Sequence, residues 1–434
     1  FYVGGGLFAA SYDHTLLTKS ADQLNSESNL ANNAEFELVS MGEGQKTGIS
    51  IYIHHQNVYS MFSNFIGKSL SQWILSGNNI RGWSNADILP RKDLVLMSGF
   101  IAASDSSYLQ CFKEADPSDA EFAKELDENT FYLYSMSIRS MEDYMGKYKE
   151  FQQKNRCIPD TSKYVIGNET YTLSTAKALW KKLDPIQLTL SASAYSDSIG
   201  WIITAKPRDI GTAKQALIDE IIRQAGAKGK IDTTTYLGVT IGKLPLEGSA
   251  RIFGDNTFSP LYIQYFAFCN NYIQFSSSKK NITCCIDRKR EGKSLDQSYI
   301  FKSFCNDINP QATLLIYLSP FEGNNFIHRN LDTTRTMGKL LNSLATKTPY
   351  LGVKIGGYQH PYHPSSLCWK YLINSVPMHS EKVVKTDDTE PIQKSTPAKK
   401  AKKSGNQKST KKSEKKSGKT APAKGKKDSK KRRS

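Results

Sequence analysis

Leu261-Tyr262-Ile263-Gln264-Tyr265-Phe266-Ala267-Phe268, then Cys269-Asn270-Asn271, then Tyr272-Ile273-Gln274-Phe275-Ser276, is the stretch whose reading sets the fold. Two aromatic, apolar runs flank a pair of asparagines, and asparagine tolerates the positive φ that a tight hairpin demands. The reading is an antiparallel hairpin. Downstream, residues 278–288 predict a short helix capped by Ser276, Ser277 or Ser278 and ending near Gly292. Residues 295–305 predict a second helix with Leu295, Tyr299, Ile300 and Phe304 on one side, and residues 312–318 predict a strand.

The N-terminus carries the same order. Gly4-Gly5 turns into residues 7–11, a helical run follows over 13–23, then a short segment from Leu30 to Phe36, then a strand over 48–53. Laying Gly4-Gly5 over Asn270-Asn271 puts Ser11 on Ser277 and Leu16 on Ile282. After one residue of slippage, Leu30 falls on Leu295, and Ile51-Tyr52-Ile53 falls on Ile316-Tyr317-Leu318. Features that keep both order and spacing point to a duplicated hairpin-helix-helix-strand unit. The alignment also implies that the first strand of the N-terminal hairpin precedes Phe1, so the chain is expected to be a fragment.

Between the copies, residues 93–101, 131–136, 187–192, 201–204, 236–241 and 250–253 read as strands, and 107–113 as a short helix. Residues 210–225 make the clearest helix. Ala213, Ala216, Leu217, Ile221 and Ile222 share an apolar face opposite Lys214, Asp219, Glu220 and Arg223, and Gly226 stands where the helix should stop. The mixture predicts an α+β class, with antiparallel-rich sheets and helices packed on one face. The expected divisions are a first unit over 1–130, incomplete at its N-terminal end; a middle α+β region over 131–250; the second copy with a weakly patterned extension over 251–378; and a Lys-rich tail over 379–434. Polar stretches 115–130 and 157–170 are the candidate connections. Residues 357–364 read as a Gly/Pro/His loop before a last packed segment over 367–373.

The chain has 58 Lys+Arg against 41 Asp+Glu, a net charge of +17. Residues 391–434 hold 16 Lys with Arg432 and Arg433 against Glu414 and Asp428, which leaves the preceding 390 residues at +1. This tail has no aromatic residue and, apart from Ile392, only Ala and Pro as apolar content. It cannot bury enough surface to offset the entropy of ordering, so disorder is expected. Its charge suits an anionic polymer, nucleic acid or an anionic membrane surface. The contacts would be Lys399, Lys400, Lys402, Lys403, Lys411, Lys412, Lys415, Lys416, Lys426, Lys427, Lys430, Lys431, Arg432 and Arg433. Base-specific readout is not expected from a segment with no stacking group and no fixed helix.

The candidate chemical motifs give way on spacing. His54 and His55 are neighbours on a predicted strand, so their rings leave on opposite faces and do not share a metal. His360 and His363, with Cys368 beyond, sit in a Pro-containing loop without helical ligand geometry. Gly4-Gly5-Gly6 lacks the dinucleotide and P-loop patterns, and no serine lies in a G-x-S-x-G elbow. Asp116, Asp119, Glu121, Glu125, Asp127 and Glu128 read as a solvated face rather than a calcium loop. Cys111, Cys157, Cys269, Cys284, Cys285, Cys305 and Cys368 form no C-x₂-C knuckle. Asn168 and Asn281 begin glycosylation sequons, and no apolar run is long enough to span a membrane. No catalytic residue, metal ligand or cofactor is assigned.

Phe8-Ala9-Ala10-Ser11 with Leu16 and Leu30, Asp93-Leu94 with Ser98-Gly99-Phe100, Trp201, and residues 272–277 with Leu295 resemble an uncharacterised family of bacterial proteins. That family, found largely in Bacteroidetes, has an N-terminal membrane anchor and a large extracytoplasmic α+β region. The resemblance implies an anchored, periplasm-facing protein with no known activity. The leading expectation is therefore a noncatalytic envelope protein that binds or scaffolds a protein partner through its body. An intracellular polyanion-binding protein using the tail and an enzyme whose site is assembled only by the fold are the alternatives.

Overall fold

The computed structural model describes residues 1–4, 6–24, 26, 30–40, 49–57, 80–90, 94–155, 163–166, 169–195, 198–225, 232–243, 263–330, 339, 342–343, 348, 350–360 and 363–374. The N-terminal series is β1 (Tyr2–Gly4), β2 (Leu7–Ala9), α1 (His14–Leu24), α2 (Ala34–Ser40), β3 (Ser50–His54), β4 (Gly82–Pro90) and β5 (Leu94–Ala103). A middle series follows: β6 (Thr130–Ser137), α3 (Met141–Lys154), β7 (Lys163–Ile166), β8 (Glu169–Thr172), α4 (Leu173–Leu183), β9 (Pro185–Ala194), β10 (Ile199–Pro207), α5 (Ile210–Ala225), β11 (Thr233–Tyr236) and β12 (Val239–Lys243). The last series is β13 (Tyr265–Cys269), β14 (Tyr272–Ser276), α6 (Lys279–Arg290), α7 (Tyr299–Ile308), β15 (Leu314–Leu318), α8 (Asn324–Asn330), β16 (Leu351–His360) and β17 (His363–Asn374). The expected strand at 250–253 and the Lys-rich tail lie outside the described residues.

Thirteen of these strands form one sheet in the order β11-β12-β13-β14-β10-β9-β6-β15-β16-β17-β5-β4-β3, while β1-β2 and β7-β8 pair separately. Every pairing is antiparallel, from Ile203↔Phe275 near one end to Tyr52↔Asn85 at the other. With helices between the strands, this is an α+β fold. Strand alternation sorts its side chains into clusters. Tyr134, Met136, Leu188, Leu190, Ile203, Ile273 and Phe275 meet Tyr144, Tyr148 and Phe151 of α3, Trp180 of α4 and Leu217 of α5. Leu133, Leu315 and Tyr317, one position out of phase, meet Ile300, Phe301 and Phe304 of α7. Each fully buried side chain of this size contributes about 1.5–3 kcal/mol.

The duplicated series is present, at a constant step of 265 residues. The two hairpins pair Gly4↔Leu7 and Cys269↔Tyr272 around their turns. Asp13 Oδ1 accepts from Thr15 N at 2.8 Å, and Ser278 Oγ accepts from Lys280 N at 3.2 Å, so both first helices are capped at equivalent positions. Leu30–Asn32 and Leu295–Gln297 are both single 3₁₀ turns. Asn33 then caps α2 through Phe36 N, and Ser298 caps α7 through Phe301 N. No slippage is needed: Asp13, not Ser11, matches the helix cap, and Leu17, not Leu16, matches Ile282. Leu17 is correspondingly the more shielded of those two leucines.

Several expectations change. The first strand of the N-terminal hairpin is Tyr2–Gly4 and does not precede Phe1. The helix expected over 295–305 is interrupted because Ser298 ends one turn and starts α7. The strand expected over 236–241 is the hairpin β11-β12, whose turn places Leu237 at φ 49° and Gly238 at φ 84°. Residues 357–360 and 363–364 are strand, not loop: β16 runs to His360 and pairs with β17, which in turn pairs with β5.

Candidate functional site

Among the described residues, charged groups converge where the segment before β6 crosses the end of α6. Leu126 anchors the segment, being buried and accepting at its carbonyl from Leu295 N at 2.9 Å, while Glu128 N donates to Lys293 O at 3.0 Å. Leu126 is the extended residue that ends the 3₁₀ turn Glu121–Glu125, with Glu125 and Asp127 on either side of it. Glu125, 6% exposed, receives Lys289 Nζ at 2.6 Å on both oxygens and Asn270 Nδ2 at 2.7 Å. Asp127, fully buried, accepts from Asn129 N at 2.9 Å, with Arg288 Nε at 4.0 Å. Arg288 also faces Glu128 at 3.6 Å and Glu291 at 3.5 Å.

The expected solvated acidic face is thus corrected. Glu125 and Asp127 are buried, and Glu121 pairs with Lys206 at 2.9 Å. Their partners come from elements 85 to 164 residues away, beyond the reach of any spacing argument. Burial pushes the Asp127 carboxyl above its ordinary range, against the opposing pull of the Asn129 amide and Arg288. Glu322 is raised by burial and then by Glu128 and Asp127. The Tyr195 phenol, also raised by burial, lies against Asp127, but its hydroxyl and Asp127 Oδ2 fall short of hydrogen-bond geometry. Burial likewise raises the thiol of Cys284, and that of Cys285 more strongly, so neither is primed as a thiolate.

This cluster can hold structure and titrate, and its effect on stability has a definite sign. Between the ordinary Asp value and the raised one, the folded chain binds more protons than the unfolded chain, so this contribution weakens as pH rises through that window. Asp127→Asn keeps a side-chain carbonyl for the Asn129 amide and removes the buried charge. In urea unfolding at pH 7.5 the variant is expected to exceed the wild type in stability, with the gap closing towards pH 4. A variant less stable than wild type at pH 7.5 would show that Arg288 outweighs the burial penalty.

A second charged feature is a groove of about 170 Å³ between α3 and the 3₁₀ turn Tyr108–Phe112, lined by Asp105, Lys113, Glu114, Lys147, Glu150 and Lys154. It is largely self-neutralised. Lys147 bridges Glu114 at 3.4 Å and Asp143 at 3.0 Å, and Lys154 donates to Asp105 O at 3.2 Å.

The two histidines take different partners, but not as neighbours on one strand, since β3 ends at His54 and His55 lies beyond it. His54 stacks on Trp83 with centroids 4.7 Å apart, and His55 Nε2 meets Ser84 Oγ at 2.9 Å, with burial depressing its pKa to about 4. His360 and His363 face each other in the β16-β17 register. Asn281 is buried and donates to Ser276 Oγ at 3.0 Å, so the folded chain does not present that sequon; Asn168 lies outside the described residues. Among the described residues no group of three or more His, Cys, Asp or Glu is disposed to hold a metal, and no helix is long and apolar enough to cross a membrane. The tail lysines and arginines lie outside the described residues.

The feature that composition could not show is an asymmetry between the copies. Leu30 is 46% exposed and its counterpart Leu295 0%; Phe8 is 69% exposed and its counterpart Ile273 0%. Phe1, Val3, Tyr12, Leu16, Leu24, Ile49 and Ile51 are exposed as well, so the apolar surface of the described chain concentrates in its first 51 residues. Apolar side chains bared in such a concentration suit an interaction surface. Comparison with family models, with curated proteins and with solved structures finds no match for this chain.

Proposed function

We propose that the protein is a noncatalytic, envelope-associated binding or scaffolding protein whose N-terminal copy holds another polypeptide. The observation that carries this reading is the bared apolar surface of that copy, at positions that the second copy of the same unit buries. The envelope placement rests on the resemblance of the residues around Phe8, Leu30, Ser98 and Leu295 to an anchored bacterial family. A second reading, retention on nucleic acid or another polyanion, is favoured by the 16 net positive charges within residues 391–434.

One experiment separates them. A photoreactive side chain at Phe8, in the full chain and in a chain ending at Glu390, is irradiated in cells that are then fractionated at low and high salt. A discrete protein adduct in the envelope pellet, stable to salt and to truncation, is the expected result. A pool that carries no adduct and leaves nucleic acid on salt or truncation would replace the first reading with the second.

A further inference from the structure

We infer that the N-terminal copy is a strand acceptor: β3 takes an antiparallel strand from a separate polypeptide bearing the pattern of residues 118–137. This rests on the binding function proposed above and names the partner's chemistry.

The second copy shows what belongs at this place. Its hairpin strand β14 pairs outward with β10, its strand β15 pairs outward with β6, and β9 joins β10 to β6, so three strands span the two edges. In the first copy β3 is the terminal strand of the large sheet, and the hairpin is a sheet of two strands. No described strand lies on the outer edge of β2 or β3. The two three-strand blocks β15-β16-β17 and β5-β4-β3 meet at β17 and β5 and run outward in opposite order, so β3 holds the position that β15 holds on the other side.

Hydrogen-bond phase agrees. Ser319 N donates to Phe131 O, and Ser137 N donates to Thr313 O, so the odd-numbered residues of the β15 segment face β6. The step of 265 makes the counterpart of Ser319 His54, and that of Leu315 Ser50. In the first copy Ile88 N donates to Ile49 O, which aims the odd positions at β4 and leaves Ser50 and His54 to address the outer edge. A terminal strand of this type pairs readily with a further strand.

The side chains that the incoming segment must supply are also visible. Phe122, Ala123, Leu126 and Leu133 close over Leu295, Phe301 and Tyr317 in one core. Leu30 and Phe36, counterparts of Leu295 and Phe301, lack that depth of cover. A complementing segment therefore carries apolar residues at the positions of Phe122, in a 3₁₀ turn, of Leu126, which ends that turn, and of Leu133, in the strand that runs antiparallel to β3.

The test uses the full chain and a fluorescein-labelled synthetic peptide with the sequence of residues 118–138, read by anisotropy. Saturable binding is expected, weakened about tenfold or more by Leu30→Lys, which changes an exposed side chain, and by Ser50→Pro, which removes an outward amide at the start of an edge strand. Urea midpoints check that both variants fold; if Ser50→Pro does not, Leu30→Lys decides. Absence of peptide binding to the wild type, or binding indifferent to Leu30→Lys, overturns the inference. So does slow amide exchange along β3 in the peptide-free chain: in a dimer by light scattering it assigns the edge to a second copy, and in a monomer to a segment of the same chain. An in-cell adduct from Phe8 without peptide binding would leave the binding function standing and remove strand pairing alone. Peptide binding without an adduct would do the reverse.

Discussion

Phe304→Ala is expected to lower the unfolding free energy by about 3–5 kcal/mol, the range for deleting a fully buried aromatic ring. Phe304 is 0% exposed and sits among rings, with centroids 5.0 Å from Tyr317, 5.8 Å from Phe301 and 6.1 Å from Tyr350. Its edge also occupies the space over Gly352: a Cβ there would collide with Phe304 Cε2, so β16 approaches α7 only because that position is glycine. Removing the ring opens a cavity that neither the strand nor the helix can close by a rotamer change. The paired leucines sharpen the result. Leu295→Ala is expected to destabilise by about 2–4 kcal/mol, and Leu30→Ala by less than about 0.5 kcal/mol, because the second is exposed. Urea unfolding of the three variants reads all of this. Equal losses for Leu295→Ala and Leu30→Ala would mean that the first copy is covered in solution.

Lys289→Met should be nearly as damaging, by about 2–4 kcal/mol, and for a different reason. The Lys289 ammonium is partly solvated, but Glu125 is buried, so removing the lysine leaves a carboxylate in the interior with Asn270 Nδ2 as its remaining side-chain donor. The loss is dominated by that stranded charge rather than by the worth of the pair. Glu125→Leu combined with Lys289→Met is therefore expected to recover most of the stability, since no charge is then left behind and the backbone bond from Gln274 Nε2 to Glu125 O is kept. A double-mutant cycle measures the coupling. A double variant as unstable as the lysine variant alone would show that the leucine does not fit the site.

How much of this was legible depended on the distance between cooperating residues. The 265–276 hairpin, a serine cap within 276–278 and α5 were readable because turn chemistry and helical period act within a few residues; that Ser278 is the one that caps came from the structure. Helix α3 could have been read too. Met141, Tyr144, Tyr148 and Phe151 keep helical spacing behind the Ser140 cap, although Lys, Glu and Gln between them dilute the signal. The strand β16 was hidden by its Gly-Gly and by the nearby proline, which usually mark loops but here occur at the irregular end of a ladder. The buried carboxylates were misread for a related cause: six acids within thirteen residues resemble a solvated face until Lys206, Arg288 and Lys289 arrive from distant elements.

The amino-acid sequence by itself determined the local units, namely hairpins, caps and amphipathic helices, and through their recurrence at a near-constant step it revealed the duplication. It also confined the excess charge to the last 44 residues. The tertiary structure alone decided that β6 inserts between β9 and β15, and that Leu295 is buried where Leu30 is bare. Dihedral preferences and periodicity are set by neighbours along the chain. The burial of a leucine is set by which remote strand reaches it, and two nearly equivalent segments diverge in fate because three strands cover one of them.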